Sequence, residues 1–195
     1  MKFPPRPIFG FTSRYPGLTN VLANDIEVME AFEPDSGLPN PVGKQFKGIW
    51  DTGASCTVIN SHIINELNLK PSGKVKILAV GDNGKVNEYI TDTYSINIVL
   101  PNKVTIYGVV AAKGEIGGGD ALIGMDVITL GDLAITNSNQ KTVMSFRTPS
   151  VQEIDFVREI DEHNRKIIRA NLSEDKRRRE RNKRKAEKRK GKKKI

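Results

Sequence analysis

In Gly48-Ile49-Trp50-Asp51-Thr52-Gly53-Ala54-Ser55, a single carboxylate lies between two apolar runs, with Ile49-Trp50 leading in and Thr57-Val58-Ile59 leading out. A carboxylate held between apolar strands is costly to desolvate unless it is used or satisfied, which makes Asp51 the first candidate for acid–base chemistry. The plainer alternative is a turn aspartate bonding its own backbone, because Asp-Thr-Gly is acceptable turn chemistry. Later in the chain comes Ala121-Leu122-Ile123-Gly124-Met125-Asp126, an apolar pair followed by glycine. Other chemistries lack their residues. Gly117-Gly118-Gly119 has no Lys-Ser/Thr after it, which excludes a phosphate loop. One cysteine, Cys56, excludes an internal disulfide and a cysteine-rich zinc site, and two histidines, His62 and His163, leave little for a metal centre. No metal and no cofactor is expected.

The elements that must position these residues are short strands. Residues 18–32 alternate loosely, and Phe46, Ile49 and Trp50 mark a second strand, with Thr57-Val58-Ile59 a third. Asn60-Ser61 can cap a short helix running to Leu69, stopped by Lys70-Pro71-Ser72-Gly73. Residues 75–80 and 86–90 flank Gly81-Asp82-Asn83-Gly84, whose Asn-Gly pair suits a hairpin turn. Further strands are expected at 94–100, 104–111, 121–124, 128–135 and 142–146. Short strands at this spacing imply an all-β fold, a small barrel or sandwich with one short helix.

Asp51-Thr52-Gly53 followed by Leu122-Ile123-Gly124 resembles the retropepsin-like aspartic proteases, the family of the retroviral proteases. The resemblance spans about residues 20–147 and implies a small closed barrel. It also implies that Asp51, Thr52, Gly53 and Ala54 form the active-site loop and that Leu122, Ile123 and Gly124 thread a second loop beside it. Gly81, Asp82, Asn83 and Gly84 fall where the family has its flap, by order and spacing alone. Aspartic proteolysis needs two carboxylates sharing a proton, yet only Asp51-Thr52-Gly53 lies between apolar runs, the other such triplet, Asp35-Ser36-Gly37, falling in the turn at residues 33–37. The resemblance therefore implies a homodimer that sets Asp51 opposite its symmetry mate, with Thr52 bracing the two loops. Ala54 stands where two-domain relatives carry Ser or Thr and where retroviral enzymes also have Ala, which favours the dimeric branch. Cys56 could line a substrate subsite by family position; packed core is the commoner role for such a cysteine. The expected activity is that of an aspartic endopeptidase acting on polypeptides. The alternative is a non-catalytic dimeric barrel serving as a binding module.

Charge divides the 195 residues unevenly. Residues 1–150 carry 13 Lys+Arg against 14 Asp+Glu, whereas residues 151–195 carry 18 against 9. Within residues 176–195 there are 14 basic and 2 acidic side chains. A near-neutral domain thus bears a basic tail, which suits nonspecific RNA or DNA by counterion release. No aromatic residue follows Phe156, so base stacking is not expected. Ser150-Val151-Gln152-Glu153 reads as a capping box opening a helix. Acid-before-base pairs such as Asp161–Arg165, Glu162–Lys166 and Glu174–Arg178 support that helix. The expected organisation is a proline-rich arm at 1–17, a protease domain at 18–147, and a linker with basic tail at 148–195. No run of about 18 apolar residues exists, so no membrane span is expected. The prolines near the N-terminus argue against a secretory signal. With a single cysteine, the expected location is the reducing cytoplasm.

Overall fold

Apolar side chains alternate along the central strands and turn one face of each inward, as in Ile26 and Val28 or Ile96, Ile98 and Leu100, all buried. The computed structural model describes residues 7–32, 34, 37, 39–80 and 86–191, and divides into two units, Met1–Val151 and Gln152–Ile195.

The first unit holds strands β1 (Phe9–Arg14), β2 (Ala23–Glu30), β3 (Lys44–Trp50), β4 (Val58–Ile59), helix α1 (Ser61–Glu66), β5 (Gly73–Val80), β6 (Val86–Leu100), β7 (Val104–Lys113), β8 (Ala121–Ile123), helix α2 (Met125–Ile128), β9 (Asp132–Thr136) and β10 (Val143–Thr148). Strands pair in the order β2-β3-β8-β4-β7-β6, and β6 returns to β2, so six strands close into a barrel, as the sequence implied. Most neighbours are antiparallel, but β3 runs parallel to β8 and β4 parallel to β7. The last part of β6 pairs with β2, while its first part leaves the barrel wall with β5 as a hairpin, Gly73 facing Thr93 through Val80 facing Val86. The proposed flap tip, Gly81, Asp82, Asn83 and Gly84, lies outside the described residues.

A bulge opposes Ile96–Ile98 to β7. There Gly108 has φ +66°, and the inward positions of β7 change phase from Val104 and Ile106 to Val109 and Ala111. Asn97, fully buried at the bulge, accepts from the Gly108 N–H (2.8 Å) and donates to the Phe32 carbonyl, so its burial is satisfied.

A second sheet, β1-β10-β9, covers one side. Phe9–Arg14, placed in the arm by the sequence, is hydrogen-bonded along β10, Phe9 facing Thr148 and Arg14 facing Val143. Phe11 and Phe146 from this sheet stack on Trp50 at ring separations of 5.9 and 5.1 Å. The residue before Asp51 is therefore held by two aromatic rings.

Three local expectations differ from the structure. Among the described residues the barrel unit has two short helices where one was expected. A strand was expected from residue 128, but Gly124 turns the chain into α2: its carbonyl accepts from both Val127 and Ile128. Val127 and Ile128 are adjacent and both buried, which a turn allows and a strand with alternating faces does not. The capping box at Ser150 does not open a helix either. The Ser150 hydroxyl and the Val151 N–H both go to Asp132, which also takes the Arg147 guanidinium.

The second unit is a single helix, α3 (Phe156–Gly191), whose first turn is capped by Asp155 accepting from the Arg158 N–H at 3.1 Å. Every described side chain from 151 to 183 is exposed. No helix among the described residues is long and apolar enough to cross a membrane.

Candidate active site

Strand β3 delivers Asp51 to its position. Phe46, Gly48 and Trp50 face inward, the Trp50 indole N–H donates to Asn24 Oδ1 (3.0 Å), and the Trp50 backbone N–H bonds Leu22. The β3–β8 ladder continues one residue past the strand, since the Asp51 N–H donates to the Ile123 carbonyl at 3.0 Å. The chain then turns. The Gly53 N–H donates to Asp51 Oδ1 at 2.8 Å, and the Ala54 N–H closes on the Asp51 carbonyl at 3.3 Å. The half-buried Asp51 carboxylate is thus held by its own loop, with Thr52 and Gly53 exposed at the tip.

The second loop lies against the first. Leu122 of β8 sits between Ile49 of β3 and Val58 of β4. Gly124 then packs so closely on the outgoing limb of the Asp51 loop that a Cβ there would fall 2.5 Å from Cys56 backbone atoms. Only glycine fits this crossing. The Gly124 N–H reaches Thr57 Oγ1 (3.3 Å), and the Met125 N–H donates to the Ala54 carbonyl at 2.8 Å. The structure brings Asp51, Thr52, Gly53 and Ala54 together with Leu122, Ile123 and Gly124 in one interlocked crossing.

Two residues outside the expected set complete it. Asp126 in α2 accepts from the Thr57 N–H at 3.0 Å and from the Thr57 hydroxyl at 2.9 Å. Thr57 is fully buried, so these bonds satisfy both of its donors. The sequence signal was an acid in the first turn after a helix-opening glycine. Cys56 is half-buried beside them. Burial pushes its thiol pKa up, and the Asp126 charge adds to the effect. Both effects disfavour the thiolate.

A second carboxylate braces the outer side of the crossing. Asp120 accepts from the Lys47 N–H (2.9 Å), His62 Nδ1 (3.0 Å) and the Asn60 amide (3.4 Å). Asn60 Oδ1 in turn caps α1 by accepting from the Ile63 N–H. Desolvation alone would raise the Asp120 pKa, but the Lys47, His62 and Asn60 bonds together outweigh it and hold the group below its ordinary value. His62 also sets its ring edge-on to Phe46 at 5.6 Å. No group of His, Cys, Asp and Glu suited to a metal ion occurs among the described residues.

A family model described as "gag-polyprotein putative aspartyl protease" matches residues 42–129, a stretch that contains both loops of the crossing. Among solved structures, a retropepsin-like aspartic protease from Rickettsia conorii is similar at 12% identity with a TM-score of 0.43, covering 73% of this chain and 96% of that one. No curated protein matches the chain. The similarity to an aspartyl protease family is carried by the stretch that builds the crossing.

Proposed function

We propose that the chain is an aspartic endopeptidase in which Asp51 of two copies forms the catalytic pair. The observation that carries this reading is the crossing itself. One carboxylate is fixed by the Gly53 N–H at a loop tip whose Thr52 and Gly53 are open to a second copy. A single aspartate lacks the acid partner, and a two-fold axis supplies it. In the dimer one Asp51 is ionised and its mate carries the shared proton. Water between them attacks the scissile carbonyl carbon, giving its proton to the ionised copy while the protonated copy donates to the carbonyl oxygen. Collapse of the tetrahedral adduct passes a proton to the leaving nitrogen and regenerates the pair. Thr52 braces the loops across the axis, and the β5–β6 hairpin covers the substrate.

In this reading residues 18–147 are the protease domain, with the arm at 1–17 docked through β1 and the tail from 148 onward acting as an address. The tail's 14 basic side chains in residues 176–195 support nonspecific RNA or DNA binding, in the cytoplasm. The test is incubation of purified protein with an unfolded protein over a dilution series, with and without a pepstatin-type inhibitor. Cleavage that is blocked by inhibitor, and that falls more steeply than concentration, supports the proposal. Absence of cleavage at every concentration overturns it in favour of a dimeric binding module.

A further inference from the structure

We propose that α3 pairs with α3 of a second copy as a short parallel coiled coil that forks at its basic end. Written in sevens, the helix places Val157, Asn164 and Asn171 at one seam position (a) and Ile160 and Ile167 at the other (d). Phe156 and Ile168 flank this stripe, and all these apolar members are exposed in the single chain. Arg158 and Glu162, which pair at 3.5 Å, belong to the opposite, outward side.

The two asparagines decide what covers the stripe. Each lies in its middle, seven residues apart. An apolar surface or a bilayer would bury both amides without partners. A second α3 in parallel register sets Asn164 against Asn164 and Asn171 against Asn171, where each amide has a donor and an acceptor to meet. An antiparallel mate would set them against Ile160 or Ile167. The seam ends where Glu174, Arg178 and Arg181 occupy the next seam positions, since like charges facing each other drive the helices apart. The basic segments of the two copies therefore leave the same end of the pair as two arms. Five seam residues make a weak contact, so it forms best when another interface already holds the copies together. It is independent of whether Asp51 is catalytic.

The test is site-directed cross-linking of the full chain in a Cys56→Ser background, so that each variant has one thiol. Asn164→Cys, Asn171→Cys and Glu162→Cys are oxidised under mild conditions and followed on non-reducing gels. Seam residues of a parallel pair fall within disulfide range of their own copies, so Asn164→Cys and Asn171→Cys should both link about tenfold faster than Glu162→Cys. Equal rates at 162 and 164 would mean mere proximity, and linkage at only one asparagine position would mean a different register. Either result overturns the proposal, as does the absence of linkage at both.

Discussion

The Asp126 carboxylate takes both the backbone N–H and the hydroxyl of Thr57, at 3.0 and 2.9 Å. Because Thr57 is fully buried, this pair fixes the outgoing limb of the Asp51 loop to α2, and so fixes the aim of Asp51. Asp126→Ala leaves two buried donors unmatched and should cost about 1–3 kcal/mol for each unsatisfied group. Thr57→Val, which keeps the N–H bond, should cost less. A double-mutant cycle by chemical denaturation is expected to show a coupling of about 0.5–3 kcal/mol between the two sites.

Glycine at 124 is required by contact. Gly124→Ala drives a methyl to 2.5 Å from the Cys56 carbonyl and should separate the two loops, destabilising the barrel by about 1–3 kcal/mol or more. Gly117→Ala, with open space around its Cβ position, should stay within about 0.5 kcal/mol of the parent. Thermal melts of the two variants side by side check the contrast.

Asp120 gives a pH signature. Its native pKa is below the ordinary 3.8, so its ionised form is favoured by folding. That stabilisation is complete above about pH 4–5 and is lost as pH falls through the unfolded and then the native value. Asp120→Asn should therefore be less stable than the parent at pH 7, and the gap should close toward pH 2. A gap that is constant with pH would remove the carboxylate from the clamp.

The sequence made much of this fold legible because the relevant signals were local. Asp51-Thr52-Gly53 needs apolar strands on both sides, the hairpin arms alternate, and Asn60 announces its helix by capping Ile63. What stayed hidden was set by tertiary contacts. Ile128 reads as the start of a strand because nothing near it reveals that Gly124 is pinned on Cys56. Ser150 read as a helix cap until Asp132, distant in sequence, claimed its hydroxyl. Asp126 offered only an acid two residues after a glycine as its signal, since its role exists only once Thr57 is folded against it.

The tail can be separated from the barrel. A chain ending at Val151 keeps the contacts of Ser150 and Val151 with Asp132 and should fold with an unchanged melting temperature. It should also lose the steep dependence of RNA or DNA affinity on salt that 14 basic residues would give. Binding titrations at several salt concentrations decide this. An undiminished slope would place the polyanion contact on the barrel.

The central claim rests on Asp51, and Asp51→Asn tests it most directly. The substitution keeps the shape of the loop, and the amide oxygen can still accept the Gly53 N–H. In a dimer it removes the base and the acid together. Cleavage of an unfolded protein substrate, measured at matched dimer concentration, should fall by about 10²–10⁴-fold or more while the melting temperature stays at or slightly above that of the parent. A folded Asp51→Asn protein that cleaves as fast as the parent would contradict the account.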